Sequence, residues 1–72
     1  MDINTGTIII KTSGKRQYRY YVTRVQTVGT RDYYWSKRII RNMIKGNERI
    51  VCDSVQLQKQ GKHYGYKVEA SA

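Results

Sequence analysis

Hydrophobic and polar positions along this chain follow two different periods. Over Ser36 to Gly46, SKRIIRNMIKG, the residues Ile39, Ile40, Met43 and Ile44 recur at spacings of one, three and four. That spacing puts all four on one stripe of an α-helix. Lys37, Arg38, Arg41, Asn42 and Lys45 cover the other side. Ser36 suits an N-cap, and Gly46 suits the position just past a helix end. The pattern predicts a short helix over about Lys37 to Lys45. So short a helix cannot stand alone in water, and its apolar stripe needs a surface to lie on. Lys37 and Arg38 fall in its first turn, where the helix dipole disfavours cations.

Elsewhere the period is two, or the segment is rich in β-branched and aromatic residues. Thr7 to Lys11, TIIIK, reads as a first strand, with a turn signal at Ser13-Gly14. Gln17 to Val28, QYRYYVTRVQTV, is the longest strand candidate. Tyr18, Tyr20 and Val22 fall on one of its faces, and Arg19, Tyr21, Thr23 and Val25 on the other. Apolar groups on both faces imply a central strand or one kinked by a bulge. Gly29 to Asp32 makes a second turn, and Tyr33 to Trp35 a third strand. Arg49 to Lys59 reads as a fourth strand whose alternation breaks, with a bulge expected near Asp53-Ser54. Gln60-Gly61 is a hairpin turn signal, and His63 to Ala70 a fifth strand.

The predicted order is βββαββ. The fold class is α+β and β-rich: a small five-stranded antiparallel sheet with one short helix across a face, or an OB/SH3-like barrel with the helix as a plug. The 72 residues make one domain, with 1–6 frayed. So small a domain buries a limited share of its surface and has no interior to spare for a deep cofactor pocket.

Composition sharpens the picture. The chain has seven Tyr, one Trp and no Phe. A Tyr hydroxyl wants water or a partner, so this choice points to half-buried or exposed rings. Fourteen Lys and Arg stand against five Asp and Glu, for a net charge of +9 and a pI near 10. Such an imbalance costs folding energy through self-repulsion and points to a polyanionic partner. The single Cys52 cannot form an internal disulfide, and no apolar run is long enough to span a bilayer or act as a leader. A cytoplasmic protein is expected.

Catalytic signals are absent. One His and one Cys, eleven positions apart, cannot fill a tetrahedral metal site, and a Cys–His nucleophile would need a third orienting group. The glycines form no phosphate-binding loop, and the acids are scattered. No enzyme, cofactor or metal is expected. Cys52 reads as a small buried hydrophobe.

What remains is a run of cations interleaved with aromatics. Lys15, Arg16, Arg19, Arg24, Arg31, Lys37, Arg38, Arg41 and Lys45 could bind phosphates, since Arg and Lys supply charge and hydrogen-bond donors. Tyr18, Tyr20 and Tyr34 could contact bases, which stack on flat apolar faces when unpaired. The same rings are also needed as core, because Ile, Leu and Val are few. Over residues 6 to 45, the run GTIII, turn, RQYRYYVTRV, turn, RDYYWSKR and the expected helix resembles the three-stranded DNA-binding modules at the ends of mobile-element integrases. That resemblance rests on pattern and implies contact with DNA.

The expected function is a small nucleic-acid-binding protein, for DNA or RNA, gripping phosphates with Lys and Arg and touching bases with Tyr. The alternative is a small adaptor or inhibitor, of phage or mobile-element type, whose basic face docks on an acidic protein surface. Membrane association through the basic helix is the weakest reading, because that helix carries no Trp or Phe.

Overall fold

The computed structural model describes residues 3–59 and 64–70. The chain forms β1 (Ile8–Ser13), β2 (Arg16–Val28), β3 (Arg31–Ile40), β4 (Met43–Asp53), α1 (Ser54–Gln58) and β5 (Tyr64–Ala70). The strands make one five-stranded antiparallel sheet in the order β4-β3-β2-β1-β5. The sheet is open, with β4 and β5 at its edges, so the barrel alternative does not apply. Among the described residues no helix is long and apolar enough to cross a membrane.

A five-stranded antiparallel sheet with one short helix is what the hydrophobic pattern predicts, but the helix lies elsewhere. The order is ββββαβ. Lys37 to Lys45 is not helical: it forms the end of β3, a two-residue turn and the start of β4. The reason is a degeneracy in spacing. In a two-residue hairpin, a residue pairs with the fifth one on, and its successor with the third one after that. Ile39 therefore faces Ile44, and Ile40 faces Met43. The four apolar residues that would make a helical stripe make two cross-strand pairs instead. Arg41 and Asn42 both have positive φ, 53° and 64°, the backbone of a type I′ hairpin turn. Ser36 is a buried residue of β3 rather than a cap, and its hydroxyl donates to the Arg49 carbonyl.

The fourth strand also begins earlier than expected, at Met43 rather than Arg49, and stops short of Lys59. It ends at Asp53, which caps α1: its carboxylate accepts from the Gln56 amide, and the Gln56 side chain accepts from the Asp53 amide. The register slip lies at Val51 rather than at Asp53-Ser54. Tyr34 pairs with Cys52 and Trp35 with Ile50, so Ile50 and Cys52 fall on opposite faces. The predicted hairpin turn at Gln60-Gly61, and His63, lie outside the described residues.

β2 is both central and kinked. Its register with β3 shifts between Val22 and Arg24, which brings Val22 and Val25 to the same side. There Ile3, Ile9, Val22, Tyr34 and Cys52 form the core, with Val25, Val51, Leu57, Tyr66 and Val68 packed against it. Leu57 comes from α1, so the helix covers this face at one end of the sheet. Ile3 packs into the core and the Gly6 amide donates to the Val22 carbonyl, so residues 3–6 are held rather than frayed.

Candidate nucleic-acid interface

Cross-strand partners share a face of a sheet and neighbours along a strand alternate, so the registers sort the candidate residues. The core face has two halves. The half under α1 is filled by the core. The other half lies toward the turns at Gly14-Lys15 and Arg41-Asn42, which the registers bring to the same end of the sheet. Lys11 pairs with Tyr18, Tyr20 with Arg38, Arg38 with Lys45, and Ser36 with Arg49. Arg16 lies two residues before Tyr18 and so shares its face. This half therefore gathers Lys11, Arg16, Arg38, Lys45 and Arg49 around Tyr18 and Tyr20.

A groove of about 380 Å³ opens in this half, lined by Tyr20, Ser36, Arg38, Ile40, Lys45, Gly46, Asn47 and Arg49. One wall comes from an irregularity in β4. Between the Ser36 and Arg38 pairings, Lys37 stands opposite three residues of β4, Gly46 to Glu48. Gly46 takes φ 86° there, a backbone state that costs a side-chain-bearing residue energy. Glu48 falls on the opposite face from Lys45 and Arg49. Its carboxylate accepts from the Thr23 hydroxyl and from Arg24 Nε, the latter at 2.8 Å, and these bonds lower its pKa. The groove lining therefore contains no acid.

The guanidinium carbon of Arg38 lies 4.7 Å from the ring centroid of Tyr18. A cation–π contact at a partly exposed site is worth about 0.5–1 kcal/mol, and here it fixes where Arg38 stands. Tyr18 is thereby occupied, while Tyr20 lines the groove itself.

The described acids are engaged elsewhere. Glu69 accepts from Arg19 Nε at 2.8 Å, and Arg31 lies 3.8 Å from Asp53. Asp32 accepts from the Thr27 hydroxyl. Among the described residues Lys11, Lys15, Arg16, Lys37, Arg38, Arg41, Lys45 and Arg49 are in no ion pair.

The predicted grip residues thus divide. Arg16, Arg38 and Lys45 meet Tyr18 and Tyr20 on one half-face, and Lys15 and Arg41 sit on the turns at its end. Arg19, Arg24 and Lys37 fall on the opposite face, where Arg24 stacks 4.3 Å over Trp35. Trp35 Nε1 donates to Gln26 at 2.9 Å. Arg31 sits at the far end with Asp53. Tyr34 is 4% exposed and belongs to the core, so its ring offers no stacking face. Burial, then Asp32, raise its pKa. Lys11, Arg49 and Asn47 are missed by the sequence reading. The register of the β3–β4 hairpin, which the helix assignment hid, could have found Arg49 and Asn47, and that of the β1–β2 hairpin could have found Lys11.

Cys52 is buried, and burial, with Asp53 nearby, pushes its thiol up to about 12. Among the described residues no group of three or more His, Cys, Asp and Glu could hold a metal ion. No protein-family model, curated protein or solved structure matches this chain.

Proposed function

We propose that this is a small nucleic-acid-binding protein of the cytoplasm with a binding role rather than a catalytic one. Phosphates are gripped by Lys11, Arg16, Arg38, Lys45 and Arg49, with Lys15 and Arg41 at the rim. Tyr18 and Tyr20 supply the rings. The observation that carries the reading is the acid-free half-face: five cations and two rings share it, while Glu48, Asp53 and Glu69 are tied to arginines outside the groove. A surface that keeps one sign of charge in a concavity attracts polyanions, and each phosphate neutralised releases condensed counterions.

The test is a fluorescence-anisotropy titration of labelled oligonucleotides from low to moderate salt. With five phosphates engaged, the plot of log K against log salt should fall with a slope of about −3.5 on single strands. No binding at low salt, or binding indifferent to salt, would remove this reading.

A second reading is docking on an acidic protein surface. It is favoured by the exposed edge strand β4, which presents Met43, 56% exposed, on the same face as Lys45 and Arg49. An acidic polypeptide competing with oligonucleotide at equal charge concentration would support it.

A further inference from the structure

We infer that the groove is a seat for one unpaired nucleotide, and hence that the protein prefers single strands to duplex. The inference rests on the nucleic-acid-binding reading and goes beyond it in naming the form of the ligand. Three observations carry it.

The first is the composition of the lining. Tyr20 and Ile40 give the groove an aromatic and aliphatic surface, while Arg38, Lys45 and Arg49 surround it with charge. A phosphate alone needs only the cations. A ring among them suits a ligand that has a flat apolar face joined to an anion, which is the chemistry of a nucleotide. Every base has such a face, so the seat is tolerant of sequence.

The second is size. A volume of about 380 Å³ is at the small end of the range for small-ligand sites, roughly 300–1,000 Å³. It takes one ring and its sugar-phosphate. A base inside a duplex is stacked on both sides and presents only its edge. To reach Tyr20 it would have to leave the stack, at a cost a single strand does not bear.

The third is how the groove is kept open and positive. Glu48 lies on the opposite face with Arg24, and Tyr18 holds Arg38 beside the groove. Asn47, on the bulge, brings an amide that can donate and accept at the rim, where a base edge or a sugar would lie. Tyr20, rather than Tyr18, is the stacking platform, because the Tyr18 ring is already covered by Arg38.

The experiment uses the full chain and five labelled ligands at one low salt concentration: dT10, rU10, a ten-residue abasic DNA strand, a ten-base-pair duplex, and a ten-residue polyglutamate peptide. Wild type and the variants Tyr20→Leu and Tyr20→Phe are titrated with each. On this account wild type binds dT10 or rU10 about tenfold tighter than the abasic strand. Tyr20→Leu loses about tenfold on the base-bearing strands and nothing on the abasic one, and Tyr20→Phe restores the loss. Equal affinity of wild type for the abasic strand and dT10 overturns the inference while leaving the phosphate grip intact, and needs no variant to fold. Duplex binding as tight as single-strand binding overturns it in the same way. Polyglutamate binding tighter than either strand gives the groove to a protein partner and overturns it too. No binding of any nucleic acid removes the inference together with the reading beneath it.

Discussion

Arg38 on β3 stands over the ring of Tyr18 on β2, 4.7 Å from its centroid. The contact is diagonal across the sheet, since Arg38 pairs with Tyr20 in the register. A long cation that would otherwise sample many rotamers is held beside the groove it serves, so less side-chain entropy is lost when a phosphate arrives.

This contact predicts coupling. Arg38→Lys keeps the charge but loses the flat stack. Tyr18→Leu removes the ring and leaves the charge. Each should weaken oligonucleotide binding a few-fold. The double variant should be less damaged than the sum of the two, with a coupling energy of about 0.5–1 kcal/mol. A double-mutant cycle by anisotropy measures it. Additive losses would mean that Tyr18 does not position Arg38.

The hairpin turn predicts a gain in stability. Arg41 and Asn42 both sit at positive φ, which costs a side-chain-bearing residue of the ordinary kind roughly 1–2 kcal/mol. Asn-Gly is the preferred pair for this turn. Replacing Arg41-Asn42 by Asn-Gly should raise stability by about 1 kcal/mol in urea unfolding, with the β-type circular dichroism retained. A loss of stability would contradict the hairpin. So would a rise in helix signal when a peptide covering 36–46 is studied alone in water.

The core predicts a large loss. Ile9 is fully buried between Tyr20 and Val68 on the two neighbouring strands. Ile9→Ala should cost about 3 kcal/mol. A domain of this length has roughly 4–11 kcal/mol in all, so the variant should unfold at markedly lower urea. A shift of the midpoint too small to resolve would show that Ile9 is not part of a close-packed centre.

The buried thiol predicts a pH dependence, and its sign follows from the direction of its shift. Cys52 titrates near 12 folded and near 9.0 when exposed, and the Tyr34 pKa is also raised. Between those pH values the unfolded chain has released protons that the folded chain still holds. These two groups therefore leave stability unchanged from pH 7 to about pH 9 and lower it as pH rises further. Urea midpoints measured from pH 7 to 11 check this. In Cys52→Ala the decline above pH 9 should be shallower, and in the native protein the thiol should resist alkylation at pH 8. Rapid alkylation there would contradict the burial.

Much of the fold is legible in the residues alone. Tyr18, Tyr20 and Val22 alternate as a strand does, the turns at Gly14 and Gly29 interrupt the pattern, and the shortage of aliphatic residues implies Tyr in the core, which Tyr34 supplies. The segment around Ile39 to Ile44 is misread because a helical stripe and a two-residue hairpin share one spacing. Propensity could have favoured the hairpin: three of the four apolar residues are β-branched, and Lys37 and Arg38 suit no helix N-terminus. The short α1 is invisible to periodicity, because five residues do not complete two turns; only Asp53 and Gln56, spaced as a capping box, mark it. The candidate interface was half legible. Cations and rings are plain in the composition, but which of them meet depends on register. The bulge near Thr23 puts Arg24 on the face away from Tyr20, and the irregularity at Gly46–Glu48 sets Arg49 opposite Ser36 at the groove.

The central claim is that charge is sorted by face, and one comparison tests it at fixed net charge. Arg38→Gln/Lys45→Gln/Arg49→Gln removes three cations from the groove. Lys37→Gln/Lys59→Gln/Lys67→Gln removes three from outside it. The affinity of each triple variant for a labelled single strand is measured across a salt series. The groove variant should bind at least roughly a hundredfold more weakly at low salt, its salt slope reduced by about 2, and the other should stay within a few-fold of wild type with its slope unchanged. Equal losses in the two would mean that only net charge matters, and would contradict the account.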